Sequence, residues 1–173
     1  LACSRAGLPV AFVLRSLLAT PDPASATEFV ERTQHASGQN YVIATPDGII
    51  DIEAGAESIT RYSGTSKGAD VYHTNHVLAG PLARNKATVF DEGSIAGPSS
   101  TRRLAAMTRF FEQHPQPNLN GIKTLLSSAD GPICAPREPG HGFTFGACIM
   151  TLGTEPALHV THGPPTVTSF VAH

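Results

Sequence analysis

Between residues 40 and 53 the hydrophobic pattern takes on the period of a β-strand and then doubles back. Asn40-Tyr41-Val42-Ile43-Ala44 forms a short run of strand-favouring residues. Thr45-Pro46-Asp47-Gly48 follows, with Pro and Gly placed as a tight turn needs them. Ile49-Ile50-Asp51-Ile52-Glu53 returns, Ile50 and Ile52 on one face and Asp51 and Glu53 on the other. A hairpin of this kind must bury its isoleucine face against something, so this part of the chain is committed to a sheet covered on at least one side. The two carboxylates share a face, which suits acid/base work or a cation site. The plainer reading, and the one the pattern favours, is the charged solvent face of an edge hairpin. Ser37 and Asn40 just before it serve either a pocket or a turn.

Around the hairpin the period is helical. Gly7-Leu8-Pro9 opens a helix in which Leu8, Phe12, Leu14, Leu17 and Leu18 recur near a 3.6 spacing. Pro21-Asp22-Pro23 ends it, and Asp22 can cap a second helix that has Pro23 at its first position and Ala26, Phe29, Val30 and Thr33 on one face. Residues 58–62 and 70–73 are expected as third and fourth strands, and 80–97 as an irregular excursion. Ser99, Ser100 and Thr101 offer caps for a helix through Leu104, Met107, Thr108 and Phe111, which Pro115 and Pro117 stop. Asn118 or Asn120 caps a shorter helix with Ile122, Leu125 and Leu126 inward. After a Pro/Gly-rich loop at 131–142, residues 143–152 read as a long, mostly buried strand, and 157–161 and 167–172 as two more. Helices, sheet, helices and sheet without repeats or a linker predict an α+β fold, with residues 1–173 as a single domain.

Composition narrows the function. The chain has 173 residues, 40% apolar and 15% charged, with a formal net charge of -2. That suits a packed core and offers no electrostatic footprint for nucleic acid or for an anionic membrane. Three cysteines (Cys3, Cys134, Cys148) make a poor disulfide framework, so a reducing, cytoplasmic location is expected. The longest apolar stretch, 8–19, contains Arg15 and is too short to span a bilayer. No dinucleotide, phosphate-loop or serine-hydrolase motif is present. The chain begins Leu-Ala-Cys-Ser-Arg without an initiator Met, which points to processing, truncation or a missing upstream segment.

The most pointed string is Tyr72-His73-Thr74-Asn75-His76, where a strand is expected to run into a loop. An Asn there can donate its amide N–H to a developing oxyanion. His73 and His76 also form an HxxH pair, but with no carboxylate at a useful spacing to complete a metal site. The plain alternative is a polar strand end whose side chains satisfy loop backbone. Pro132-Ile133-Cys134-Ala135-Pro136-Arg137 offers a thiol near a guanidinium; Cys134 is either a low-pKa thiolate or a small apolar filler, and Arg137 either a carboxylate clamp or a solvated loop residue.

Taken in order, these strings resemble one family. Gly7-Leu8-Pro9 with Phe12-Val13-Leu14-Arg15-Ser16-Leu17-Leu18, the run from Ala36 to Ala44 with Asp47-Gly48 and Asp51-Ile52-Glu53, the tetrad His73-Thr74-Asn75-His76, Ser100-Thr101-Arg102-Arg103, and Cys134 with Arg137 are similar to the motifs of the penicillin acyltransferase (peptidase C45) family. Ala135-Pro136 separates Cys134 from Arg137 where the family has them adjacent. The resemblance implies the αββα four-layer sandwich of N-terminal-nucleophile (Ntn) hydrolases, of which this chain is the C-terminal portion. It implies a self-processed enzyme whose N-terminal Cys attacks an amide or thioester, that Cys being supplied upstream or by a companion chain. It implies Asn75 as oxyanion donor, Arg137, Cys134, Glu53 and Gly55 on the substrate side, and His73, His76 and Asn40 as supporting residues. No metal and no cofactor is expected; a coenzyme A thioester is a candidate substrate. Cys3 is a weak candidate nucleophile, since it is not N-terminal and leads straight into a helix. A silent binding module that keeps the fold, and a His-based metallohydrolase, are the competing expectations.

Overall fold

The computed structural model describes residues 3–63, 70–80, 83, 98–129, 131–137 and 142–173, in two compact units, Leu1–Ser100 and Thr101–His173. Helix and antiparallel sheet are mixed in both, as an α+β chain requires. The expected excursion at 80–97 falls almost wholly outside the described residues.

In the first unit, helices α1 (Val10–Leu17) and α2 (Pro23–Arg32) precede a three-stranded sheet of β1 (Gln39–Thr45), β2 (Gly48–Ala54) and β3 (Ile59–Tyr62), in the order β1-β2-β3. Asp22 caps α2, its Oδ1 accepting the Ser25 N–H at 2.8 Å, and Pro23 fills the first turn, where a missing N–H costs nothing. The hairpin register pairs Tyr41 with Ile52 and Ile43 with Ile50, so the turn falls at Pro46-Asp47 as its residues demand. The core forms where α1 and α2 cover one face of this sheet: Val13, Val30, Tyr41, Ile52 and Ala54 are buried, with Val10, Leu17, Phe29, Ile50 and Ile59 packed around them. The α2 face is the expected one. The α1 face is not: Phe12, Leu14 and Leu18 point outward (Leu18 is 90% exposed), and the buried stripe is Val10, Val13 and Leu17. In a helix this rich in apolar residues, spacing alone left several stripes open, and packing against the sheet and α2 selected this one.

Two further expectations fail here. Asp51 and Glu53 do not lie on the solvent face of an edge hairpin, because β3 pairs with the far side of β2 and makes β2 the central strand; Asp51 is 2% exposed and Glu53 9%. Residues 70–73 form no strand; they run as an irregular segment.

A second close approach fixes the start of the unit. Residues 4–8 run parallel to 34–36, with Ser4 N–H donating to Ala36 O (2.8 Å), Leu8 N–H to Gln34 O (2.7 Å) and Ala36 N–H to Leu8 O (3.1 Å). A Cβ at Gly7 would meet the His35 carbonyl carbon and oxygen at 2.3 Å, so only glycine fits. His35 itself is 1% exposed; its Nε2–H donates to Val30 O at 2.9 Å, and its Nδ1 accepts from the Tyr41 hydroxyl at 3.3 Å. This imidazole ties the end of α2 to β1.

The second unit contains most of α3 (Pro98–Gln113), α4 (Leu119–Ser127) and a sheet of β4 (Cys148–Thr151), β5 (Ala157–Thr161) and β6 (Phe170–Ala172) in that order. Asn118 caps α4 through the Gly121 N–H at 2.9 Å. The long buried strand expected at 143–152 shrinks to the four residues of β4, with Phe143, Phe145, Met150 and Leu152 all exposed. An apolar run fixes neither strand length nor burial. The third strand of this sheet likewise covers only Phe170–Ala172. The register places Cys148, Met150, Leu158, Val160 and Val171 on one face.

Replacing Gly7 with Ala should destabilise the first unit by about 1–3 kcal/mol, because the clash is with backbone that cannot step aside. Thermal unfolding would show it, with wild-type stability for Gly7→Ala contradicting the close approach.

Candidate active site

The chemistry-bearing residues of the first unit gather on the face of β1-β2-β3 opposite its helices. Cross-strand partners point the same way, so the register places Asn40, Glu53 and Thr60 in one row and Val42, Asp51 and Tyr62 in the next. Residues 70–80 lie over these rows, and His73 reaches down to them. Its Nε2–H donates to Glu53 Oε1 at 2.6 Å, and its Nδ1–H donates to the Thr74 carbonyl. With Glu53 ionised both partners accept, an arrangement that favours the doubly protonated imidazolium form of His73. The Tyr62 ring stands edge-on to it, centroids 5.9 Å apart.

Glu53 holds more than His73. Its Oε1 also accepts the Leu78 N–H at 2.5 Å, and its Oε2 accepts the Ala79 N–H at 2.8 Å. Gly80 follows with φ 72°, a conformation open to glycine, and a Cβ there would meet Thr60 Oγ1 at 2.5 Å. Burial opposes ionisation of Glu53, but His73 and the two N–H groups outweigh it and hold the carboxyl below its ordinary range. Burial likewise disfavours the charged His73, yet Glu53, the nearby Asp51 charge and the Thr74 carbonyl raise its pKa.

Asp51 is the opposite case. It is buried, and among the described residues neither carboxyl oxygen makes a hydrogen bond of normal geometry. Burial raises its pKa; the His73 charge and the adjacent Asn40 amide pull it down, and Glu53 adds to the rise. The Asn40 Oδ1 is buried as well, without a hydrogen-bond partner among the described residues.

A second knot lies on the other side of Asn75. His76 Nδ1 is 2.8 Å from Ser100 Oγ; Thr74 Oγ1 donates to the Ser100 carbonyl at 3.1 Å and accepts from the Ser100 hydroxyl at 3.0 Å. With that hydroxyl proton spent on Thr74, the His76 Nδ1–H is the donor to Ser100 Oγ. Ser100 is 0% exposed, in the first turn of α3. It serves here as an anchor, where the sequence offered it as a cap. Asn75, between the two histidines, is exposed.

The remaining candidates sit elsewhere. Gly55 begins the turn from β2 to β3, its N–H donating to Ser58 O at 2.7 Å. In the second unit Cys134 is 2% exposed, with Sγ 4.0 Å from Thr166 Oγ1. Arg137 is exposed, its guanidinium over the Phe143 ring at 5.4 Å. Among the described residues no three His, Cys, Asp or Glu side chains are arranged to hold a metal ion, and no helix is long and apolar enough to cross a membrane. Both His73 nitrogens face acceptors, so that ring has no lone pair for a metal in this arrangement.

Residues 2–157 match the family described as acyl-coenzyme A:6-aminopenicillanic acid acyl-transferase. The chain belongs to this family. No curated protein matches it. Membership makes it an acyltransferase or hydrolase of the Ntn type at the family level, and the matched span includes the hairpin, the tetrad and the Cys134 loop alike. In this member of the family the polar sheet face and the segment over it bring together three titratable groups whose pKa values are displaced, Asp51, Glu53 and His73.

The signs of these shifts fix a pH dependence. A raised His73 pKa gives stability that is complete below the ordinary 6.5 and lost as pH rises through the shifted value. A lowered Glu53 pKa gives stability present above the ordinary 4.5 and lost as pH falls through its own shifted value. His73→Gln should therefore flatten the alkaline arm of a stability–pH curve measured by chemical denaturation. A raised Asp51 pKa acts against folding once the group ionises, so Asp51→Asn should gain about 1 kcal/mol at neutral pH; a loss of that size instead would mean that Asp51 is paired.

Proposed function

We propose that this chain is the oxyanion-side portion of an Ntn-type cysteine acyltransferase or amidohydrolase with the αββα sandwich. The nucleophile comes from a self-processed N-terminal Cys, supplied upstream or by a companion chain of the same precursor. Its thiolate attacks the carbonyl carbon of an amide or thioester. The C=O π electrons move to oxygen, and the Asn75 side-chain N–H stabilises that negative charge. Collapse expels the amine, which takes a proton, or the thiolate of coenzyme A. Water or a second amine then attacks the acyl-enzyme, gives up a proton and returns the thiol.

The observation that supports this reading is the exposed amide of Asn75 between two anchored histidines. A donor held before charge develops needs no reorganisation in the transition state. Arg137, Cys134 and Gly55 are proposed on the substrate side, Arg137 as the recogniser of a carboxylate; Glu53, expected there from the sequence, has its oxygens taken by His73 and two backbone N–H groups and is a support instead. Cys134, buried and close to a hydroxyl, fits a wall better than a nucleophile. No cofactor is required. Free thiols at Cys3, Cys134 and Cys148 suit a reducing cytoplasm.

Asn75→Ala should lower kcat on the order of 10²–10³-fold while leaving thermal stability nearly unchanged. Turnover is measured on the whole processed protein, with an acyl-coenzyme A plus 6-aminopenicillanic acid and with an acyl p-nitroanilide. Undiminished kcat in this variant removes the assignment. Absence of any N-terminal Cys in the intact mass of the purified material favours a silent module.

A further inference from the structure

We infer that Glu53 is a positioning residue for the Asn75 amide, holding both ends of the segment that carries it; this rests on the oxyanion reading above. The segment runs from His73 to Ala79. One carboxylate takes its first residue through the ring Nε2–H and its last two through backbone N–H groups at 78 and 79. Glu53 stands on the central strand of its sheet, hydrogen-bonded on both sides to β1 and β3, so its backbone is the least mobile support this face offers. The far end of the segment is closed by Gly80, whose turn lies against Thr60 of β3. Within it, Thr74 and His76 are tied to Ser100. Asn75 is the one member of the tetrad turned outward, and the fastenings on either side of it restrict where its amide can point.

A carboxylate is the group that does this. It presents two acceptor oxygens with four lone-pair directions, and three donors converge on it. A carboxamide of the same shape has one acceptor and one donor, so its NH₂ must face an N–H of the segment. Glu53→Gln should thus loosen the segment without emptying the site. Among the described residues, the groups facing His73 are Asp51 and Glu53 from β2, Tyr62 from β3 and the Thr74 carbonyl. With Glu53 neutral, Asp51 is the sole carboxylate among them.

The test compares wild type, Glu53→Gln and Asn75→Ala in the whole processed protein. Amide hydrogen exchange of 73–79 should speed up on the order of ten-fold in Glu53→Gln, with the core strand β1 protected as in wild type. On the same probe substrates kcat should fall on the order of 10²-fold with KM little changed, as expected when a donor is displaced by about an ångström. The alkaline limb of any pH profile that reports His73 should move to lower pH. Wild-type exchange and wild-type kcat in Glu53→Gln would overturn the inference while leaving Asn75 in its role if Asn75→Ala is inactive. Full activity of Asn75→Ala removes the oxyanion reading itself, whatever Glu53 does. Should Glu53→Gln fail to fold, His73→Gln removes the cationic end and keeps one amide donor, and the same exchange measurement decides.

Discussion

A carboxylate buried in the middle of a sheet has to be compensated, and Glu53 is compensated by groups that lie apart along the chain. Unpaired, its charge would cost several kcal/mol. Paired with an imidazolium and two N–H groups, it turns that liability into a constraint on residues 73–79, which have no regular structure of their own. The geometry of the tetrad follows from this. His73 is held by Glu53, His76 and Thr74 by Ser100, and Asn75 between them lies at the surface. A string that looks like two histidines and a metal is better described as two fasteners and an amide.

The sheet divides the labour between its faces. Ile50, Ile52, Ala54 and Tyr41 bind it to α1 and α2, and this apolar side supplies the stability. The other side supplies the chemistry at some cost in stability, most visibly at Asp51, where a buried carboxyl lacks a hydrogen-bond partner among the described residues. Unsatisfied groups of this kind are concentrated where function outweighs stability.

Much of the first unit was legible from the chain because local and tertiary demands agree there. Pro46-Asp47-Gly48 marks a tight turn, the flanking alternation agrees with the register around it, and Asp22-Pro23 supplies both the cap and the first turn of α2. What was not legible is what lies over each face. Alternation shows that Asp51 and Glu53 share a side. It does not show that residues from 73 to 79, some twenty positions later, will bury that side. Ser100 has no signal beyond a helix cap, because its value comes from Thr74 and His76 arriving beside it. Leu-rich α1 and the apolar run around β4 misled for a related reason: when most residues are apolar, periodicity no longer distinguishes the inner face from the outer.

The face of the second sheet that carries Met150, 67% exposed, together with Leu158 and Val171, has a chemical consequence. A thioether open to solvent is a target for peroxide, and its sulfoxide would set a polar, chiral group in the middle of an otherwise apolar row. Cys148, on the same face and also exposed, is oxidised by the same reagents. Oxidative damage to the second unit should therefore begin on that face of β4, leaving Cys134, enclosed beside Thr166, in its reduced form.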